Sequence, residues 1–293
     1  MFVIFWMLLA TSSFTLMAFI IKLQSKQFSV ADILFLRSAS SIVFVLLIWI
    51  FFHFQLRTTV FRIHARRSLF GFFSMATWYY TLGVLPMGIS VTLNYLSPLF
   101  LGLILFLFDR TSGRPSFKEL AFVVLGFIGV VVLMNPFATT LNGNNIFPIV
   151  LGTLAAIVSA LAFKDVRVLK NSGQNEWQMV FYFSAMATVL SFPFTSFARL
   201  DPSGDLTGIV ALVLAGLFGA LGQLGVSKAF GSGDQITAAS FQYLSVVFSL
   251  LLSWAVLDET VSIVQLAGIS IIVIAAIFTI AERSRRALHS VNR

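Results

Sequence analysis

The chain has no cysteine and few charged residues. Cysteine is absent from all 293 positions, which excludes disulfide bonds. Charged residues make up only 10% of the sequence, whereas hydrophobic residues make up 58% and the mean hydropathy is +0.96. A soluble globular domain carries about 25% charged residues. The composition therefore predicts a chain whose solvent is largely lipid.

Patterns that mark common catalytic sites are also absent. The sequence contains neither H-E-x-x-H nor G-x-S-x-G, the spacings of a zinc protease helix and of a serine nucleophile elbow. Its three histidines, His53, His64 and His289, fall at the ends of apolar runs or in the C-terminal tail. We therefore expect no enzymatic activity, no metal site and no cofactor.

Apolar runs long enough to cross a membrane dominate the sequence. A spanning helix needs about 20 predominantly apolar residues. Runs of about this size lie near residues 1–21, 32–52, 68–85, 88–108, 119–135, 147–163, 177–195, 208–227, 236–256 and 263–281. The first run lacks a basic start and a small-residue cleavage site, so we interpret it as a retained helix and not as a signal peptide. The sequence predicts an all-α membrane protein with ten transmembrane helices.

The chain contains the same segment twice. Residues 71–100 align with residues 219–248 without a gap, and Gly71 then meets Gly219. In the same alignment Asn94-Tyr95-Leu96-Ser97 meets Gln242-Tyr243-Leu244-Ser245. Repeats that are inverted relative to each other are typical of secondary transporters, which open alternately to the two sides around a central site.

The repeat divides the chain into two halves of five predicted helices. We place the first half at residues 1–140 and the second at residues 141–293, which include a basic tail. The boundary falls in the polar stretch Asn135–Asn145, whose composition suits a turn. Because each half has an odd number of spans, the second half must be inverted relative to the first.

Basic residues are distributed unevenly over the predicted loops. Of the 19 lysines and arginines, only Lys22, Lys26 and Arg199 fall on one side and Arg37 falls inside a span, while the other fifteen share the opposite side. Cytoplasmic loops of membrane proteins carry such an excess. The asymmetry predicts a bacterial inner-membrane protein with both termini in the cytoplasm, its basic surface near lipid headgroups and not bound to nucleic acid. The sequence leaves a monomer or a homodimer open.

Short motifs recur in a recognisable order along the predicted helices. They are Phe35-Leu36-Arg37-Ser38, Gly71-Phe72-Phe73-Ser74, Tyr95-Leu96-Ser97-Pro98, Asn135-Pro136, Gly222-Gln223, Phe241-Gln242-Tyr243-Leu244-Ser245 and Asp258-Glu259. Their order resembles the drug/metabolite transporter superfamily, in particular its ten-helix EamA-type permeases, over essentially the whole chain. The resemblance implies transport of small metabolites, such as amino acids and their derivatives, nucleotide-linked compounds or drugs.

The repeated motif places an amide at the same point of both halves. Asn94 and Gln242 lie near the middle of their predicted spans, where polar groups facing lipid would be costly. We predict that both face a central cavity and bind substrate, together with Ser97 and Ser245. The alternative is that these groups only hydrogen-bond one helix to another.

Aromatic residues and one further amide complete the predicted cavity wall. Tyr95 and Tyr243 point about 100° away from the amides around their helices, so they either line the cavity or support it. Trp78 and Tyr80 offer a flat surface and a hydroxyl to a substrate. Gln223 lies beside a stripe of glycines, Gly216 to Gly225, that we interpret as a packing surface.

Four charged residues inside or at the edges of the spans are the remaining candidates. Arg37 occurs in one half only, because Phe183 takes its place in the second half, and we predict that it binds an anionic group. The alternatives are that it reaches the headgroups or pairs with Asp32. Lys164, Asp165 and Lys228 are candidates for gating charges, although Lys164 and Asp165 would also neutralise each other.

The predicted function follows from these features. We expect a secondary transporter that moves an amino acid or a related zwitterionic or anionic metabolite by alternating access. An exchanger of S-adenosylmethionine or a nucleotide-like metabolite is the alternative, and a channel or a non-transporting scaffold has less support. The eleven acidic residues all fall at or near loops, which favours exchange or facilitated diffusion over proton coupling.

Overall fold

Helices account for nearly all of the residues that the structure describes. The computed structural model covers residues 2–109, 114–138, 145–197, 202–232, 234–257 and 262–291. The helices are α1 (Phe2–Gln24), α2 (Val30–Phe52), α3 (Phe61–Val84), α4 (Met87–Asn94), α5 (Ser97–Phe108), α6 (Phe117–Met134), α7 (Ile146–Asn171), α8 (Glu176–Ser191), α9 (Pro202–Gly231), α10 (Gln235–Gln242), α11 (Leu244–Leu257) and α12 (Ile263–Val291). Within these ranges there is no β-strand. The prediction of an all-helical fold is confirmed.

Eight segments of the described chain are long and apolar enough to cross a membrane. Two of them combine a pair of helices, α4 with α5 over Gly88–Phe108 and α10 with α11 over Gln235–Val256. Helix α8 has only 16 residues, and α3 contains three arginines in its first two turns. With α3 and α8 added, the described helices are compatible with the ten predicted spans.

The two halves pack against each other in a symmetric pattern. Helix α1 packs on α9, and the equivalent pair α7 and α3 packs in the same way. Helix α2 packs on α8, and α6 packs on α12, which are the contacts expected between mutually equivalent helices. This pattern shows an inverted two-repeat fold in which the helices of each half pack mainly against helices of the other half. The predicted boundary at residues 140 and 141, and the motif Asp258-Glu259, lie outside the described residues.

The symmetry extends to the sequences that start the last helix of each half. Ser116 accepts a hydrogen bond from the backbone N–H of Glu119, whose carboxylate accepts one from the Ser116 N–H. Ser262 and Gln265 exchange the same two bonds before α12. These capping boxes pair backbone N–H groups that have no partner inside the helix. They fix where α6 and α12 begin.

The spans that carry the repeated amides are both broken. Helix α4 ends at Asn94 and α5 begins at Ser97, while α10 ends at Gln242 and α11 begins at Leu244. Pro98 has no N–H to bond the Asn94 carbonyl, and the Ser97 hydroxyl donates to that carbonyl instead, at 3.0 Å. Each amide therefore belongs to the last helical residue before a break, which turns it toward the interior of the bundle.

Glycines allow the closest helix approaches. The glycines of α9 pack on α1 and α2, so the predicted stripe is a packing surface. Between α6 and α12 the contact is reciprocal: a Cβ at Gly268 would lie 2.9 Å from the Gly129 carbonyl oxygen, and a Cβ at Gly129 would lie 3.0 Å from the Gly268 carbonyl oxygen. Backbone atoms cannot move aside as side chains do, so this contact requires glycine.

One end of the bundle is held together by ion pairs, and we call it the ion-paired end. It contains the N-terminus of α3, the C-termini of α7 and α12, and the turn between α7 and α8. The pairs are Arg66–Asp165, Arg167–Asp109, Lys170–Glu176, Lys228–Glu176, Arg283–Glu119, Arg286–Glu119, Arg283–Asp234 and Arg285–Glu282. Glu119 is fully buried between two arginines, so its pairs are among the least exposed to screening.

We predict that Gly268→Ala destabilises the protein by about 1–3 kcal/mol, the cost of overpacking a tight interface. The added methyl group would press on backbone atoms of α6, and α6 would have to separate from α12. Thermal unfolding of the purified protein in detergent should shift down by several degrees. Gly83→Ala is the matched control, since a Cβ there meets nothing within 4 Å; equal behaviour of both variants would contradict the assignment.

Candidate functional site

A cavity of about 820 Å³ lies between the two halves. At one end it reaches the exposed residues Lys22 and Ser25, near the turn between α1 and α2. At the other end its wall is formed by Arg67 and Phe163, which lie close to the ion-paired end. Phe163 is stacked on Phe230, with ring centroids 4.7 Å apart. The structure is therefore open at the Lys22 end and closed at the ion-paired end.

Both repeated amides line this cavity. Asn94 and Gln242 contribute to the wall, as do Ser97 and Ser245. The side-chain Oε1 of Gln242 is buried and has no hydrogen-bond donor in the structure. Such an atom is costly to bury without a partner, and it is an acceptor that the described protein atoms do not use.

Tyr95 and Tyr243 occupy different environments despite their equivalent positions. Tyr95 and its neighbour Ser245 both line the cavity. Tyr243 is 1% exposed and packs into the space left by Gly126, where a Cβ would lie 2.7 Å from its ring. The two rings remain neighbours, with centroids 6.2 Å apart. The symmetry of the sequence is thus broken at the centre of the fold.

Arg67 lines the cavity, although it lies just before the third apolar run of the sequence. The predicted span begins at residue 68, but α3 begins at Phe61 and carries Arg67 into the bundle, where it is 4% exposed. Its Nη2 donates to Gln223 Oε1 at 2.6 Å, and its guanidinium lies over the Phe183 ring at 4.7 Å. Its Nε and Nη1 have no acceptor.

A signal for Arg67 was present in the sequence. Arg67, Gly71, Ser74 and Trp78 recur at intervals of three and four residues, which places them on one face of a helix. All four line the cavity. The apolar run starts only at residue 68. A span assigned from hydropathy therefore begins one residue after the arginine that belongs to this face.

Trp78 and its neighbour Tyr79 add unpaired polar atoms nearer the open end. Both residues line the cavity, and their rings are in contact, with centroids 5.4 Å apart. Trp78 Nε1 and the Tyr79 hydroxyl are buried without partners. The described cavity wall therefore presents several hydrogen-bond donors that the protein itself does not use.

Arg37 is buried next to the cavity but is not part of its wall. It is 2% exposed, so it does not reach the membrane surface. Asp32 does not pair with it, because its carboxylate accepts hydrogen bonds from Ser29 and from the Ser196 N–H. Met17 and Met75, which do line the cavity, lie between the guanidinium and the open space.

Four of the other predicted residues lie away from the cavity wall. Tyr80 is 39% exposed on the outer surface of α3. Lys228 pairs with Glu176 at the ion-paired end and lies over the Trp6 ring. Asp165 receives two hydrogen bonds from Arg66, at 2.6 and 2.8 Å, and so does not neutralise Lys164.

The charge of the cavity is positive. Among the described residues that line it, Lys22 and Arg67 are basic and none is acidic. No group of three or more histidine, aspartate or glutamate side chains in the described part of the chain is arranged to hold a metal ion. The wall therefore offers hydrogen-bond donors and positive charge to a ligand, together with aromatic surface.

Comparisons with known proteins agree with this architecture. The chain is similar to an S-adenosylmethionine uptake transporter of Rickettsia felis, with 27% identity over 82% of this chain and 80% of that protein. It is equally similar to a pseudopaline exporter of Pseudomonas aeruginosa, with 27% identity over 92% of both chains. A solved crystal structure matches the fold with a TM-score of 0.74 and 16% identity, over 96% of this chain and 98% of that one.

A family profile covers both halves of the chain. The profile of the EamA-like transporter family matches residues 1–135 and again residues 146–281. Two separate matches are what a two-repeat fold requires, and they confirm the predicted family and the predicted transport function. Together with the inverted pattern of helix contacts, they show that this multi-pass membrane protein belongs to the EamA-like transporter family.

Proposed function

We propose that the protein is a secondary carrier for a small zwitterionic or anionic metabolite, such as an amino acid or a related compound. The observation that supports this most directly is Arg67, which lies at the inner end of the cavity with two guanidinium nitrogens unpaired. Guanidinium groups bind carboxylates through paired, charge-assisted hydrogen bonds. A buried arginine without an ion-pair partner is costly, and a bound carboxylate would supply that partner.

The rest of the wall fits the other parts of such a substrate. Gln242 Oε1 accepts a hydrogen bond from an ammonium or hydroxyl group, and Asn94 lies on the symmetry-related helix. The rings of Trp78 and Tyr95 provide flat surface for an apolar or aromatic side group. The carboxylate then lies toward the ion-paired end and the side group toward the open end.

Alternating access is the mechanism that an inverted repeat makes possible. The structure represents the conformation open at the Lys22 end. In the opposite conformation the ion pairs of the ion-paired end separate and the Lys22 end closes. By the excess of basic residues, the ion-paired end is the cytoplasmic one and the membrane is the bacterial inner membrane.

S-adenosylmethionine is the second candidate substrate. The name of the Rickettsia relative and the aromatic cavity wall, which suits an adenine ring, favour it. Its sulfonium cation would meet Lys22 and Arg67 with no acid among the described wall residues, which favours an anionic substrate instead. One relative is named an uptake transporter and the other an exporter, so neither name supplies a direction of transport.

Counterflow in proteoliposomes tests the proposed function. The vesicles are loaded with a mixed pool of amino acids and S-adenosylmethionine, and each labelled compound is added outside without an ion gradient. A carrier accumulates its own substrate under these conditions, whereas a channel only equilibrates it. Accumulation of a labelled zwitterion or anion is expected; accumulation of S-adenosylmethionine alone would favour the second candidate, and no accumulation would contradict the proposal.

We predict that Arg67→Gln lowers counterflow about ten- to hundredfold, which corresponds to the loss of charge-assisted hydrogen bonds to a carboxylate. Arg67→Lys should retain part of the activity, because a lysine keeps the charge but not the paired geometry. Arg62→Gln removes the same charge from an exposed position of the same helix and is the matched control. Equal activity of Arg67→Gln and Arg62→Gln would contradict the role of Arg67.

The amides give a separate prediction. Asn94→Ala and Gln242→Ala should each lower transport several-fold while expression and the elution volume on size exclusion stay unchanged, because both side chains face open space. Gln27→Ala, which removes an exposed amide outside the cavity, should transport like the unmodified protein. Unchanged flux in both cavity variants would remove the amides from the site.

Accessibility to a thiol reagent tests the proposed orientation, and the absence of cysteine makes single-cysteine variants possible in the natural background. Ser249→Cys lies in the cavity wall and Ser172→Cys lies in the exposed turn of the ion-paired end. In intact cells an impermeant reagent should modify the first variant and spare the second until the membrane is permeabilised. The reverse pattern would place the ion-paired end outside.

A further inference from the structure

The second buried arginine of the bundle has an unusual set of partners. Arg37 Nη2 contacts Met75 Sδ at 3.1 Å and the Ser38 hydroxyl at 3.4 Å, and Nη1 contacts Met17 Sδ at 3.5 Å. Its Nε has no acceptor. No carboxylate among the described residues forms an ion pair with it. Thioether sulfur is a weak acceptor, so the protein leaves this charge largely unsatisfied.

The fold keeps space for this side chain. A Cβ at Gly219 would lie 2.6 Å from Arg37 Nη1, so a larger residue on α9 would displace the guanidinium. An apolar residue at position 37 would avoid the cost of a buried unpaired charge, which is several kcal/mol. A bound anion that pairs with the guanidinium would explain why an arginine is buried here.

Two methionine side chains connect Arg37 with the cavity wall. Met17 and Met75 line the open space on one side and contact the guanidinium on the other. Methionine has three rotatable bonds and no branch, so it changes conformation more readily than other apolar residues. Rotation of these two side chains would expose the guanidinium to a molecule already in the cavity.

The internal symmetry relates this position to the one at Arg67. Met75 and Gln223 are equivalent in the repeat, and each contacts the Nη2 atom of a buried arginine, Arg37 in the first case and Arg67 in the second. The partner of Arg37 is an apolar side chain that can move aside. The partner of Arg67 is an amide that fixes the guanidinium at the cavity wall.

The separation of the two guanidinium groups follows from helix geometry. Gly219, which faces Arg37, and Gln223, which binds Arg67, are four residues apart on α9, or about 6 Å along its axis. Arg67 and Met75 are eight residues apart on α3, or about 12 Å along its axis. The two groups therefore lie roughly 6–12 Å apart along these helices.

We propose that Arg37 is a second anion-binding group, and that the substrate carries two carboxylates separated by a short chain. One carboxylate binds Arg67, and the other displaces Met17 and Met75 to reach Arg37. This proposal rests on the proposed function and narrows its substrate class. A monocarboxylate would leave the Arg37 charge unsatisfied and would bind less tightly.

A homologous series of ligands tests the proposal. The probes are the straight-chain dicarboxylates from glutarate to suberate and, for each, the monoamide of the same chain length. Binding to the purified protein is measured as the ligand-dependent shift of thermal unfolding. We expect one chain length to bind about ten- to hundredfold more tightly than its monoamide, the size of one charge-assisted contact. If no dicarboxylate binds better than its monoamide, the proposal is wrong.

Variants assign the preference to Arg37. In Arg37→Gln the preference for the dicarboxylate over its monoamide should disappear, and Arg37→Lys should restore part of it. Arg62→Gln is again the surface control and should keep the full preference. If Arg37→Gln does not fold, the proposal is still tested by comparing the dicarboxylate with its monoamide in the wild-type protein and in Arg37→Lys. A preference that persists in Arg37→Gln would overturn the role of Arg37.

The counterflow assay separates this proposal from the proposed function. If a monocarboxylic amino acid shows counterflow and excess dicarboxylate does not inhibit it, the protein is a carrier but the second anion site is rejected. Absence of counterflow with every probe would instead reject the carrier itself, and with it the site.

Discussion

Lipid offers no hydrogen bonds, so every backbone group inside the membrane must find its partner in the protein. The two broken spans strain this rule, since α4 ends at Asn94 and α10 ends at Gln242, although the N–H groups of Tyr95 and Leu96 still donate to the Val91 and Leu93 carbonyls. Such breaks are tolerated only where they face protein or a polar cavity, and here both lie at the interface of the two halves. The arrangement of the other helices follows, because they must enclose these breaks. The same constraint turns the amides inward, beside the positions where the chain is least regular.

A second constraint concerns charge in the interior. Two arginines are buried in the described bundle, and neither forms an ion pair with a described acid. The acids are used elsewhere, in helix caps such as those of Asp32 and Glu119 and in the ion pairs that close one end. The described acids named here therefore lie at helix caps and in ion pairs, away from the two buried arginines. Acidic and basic residues pair at the ion-paired end, and the described charged residues that line the cavity are basic.

The sequence was sufficient for the parts of the fold that depend on periodicity. The apolar runs predicted the helices, and the repeat predicted the inverted halves and the cavity position of Asn94 and Gln242. It was not sufficient for Arg67, for two physical reasons. The first turns of α3 are polar, so hydropathy excluded them from the span, and the equivalent residue in the second half is Ala215, so the repeat gave no support. The different environments of Tyr95 and Tyr243 were not predicted either, because the repeat aligns the two tyrosines, whereas the space for Tyr243 is left by Gly126 on another helix.

An unpaired arginine at the inner end of a cavity also has an electrical consequence. In the conformation described here the cavity connects Arg67 with the solution at the open end, so most of the transmembrane voltage falls across the ion-paired end. When a carrier opens at its opposite end, the voltage falls across the end that has closed. The arginine charge then lies on the opposite side of the voltage drop, although it has not crossed the membrane. The energy changes by about 2.3 kcal/mol per elementary charge and 100 mV. If the protein works by the proposed alternating access, voltage would therefore favour one orientation of the empty carrier, and a bound anion that cancels the Arg67 charge would reduce this preference.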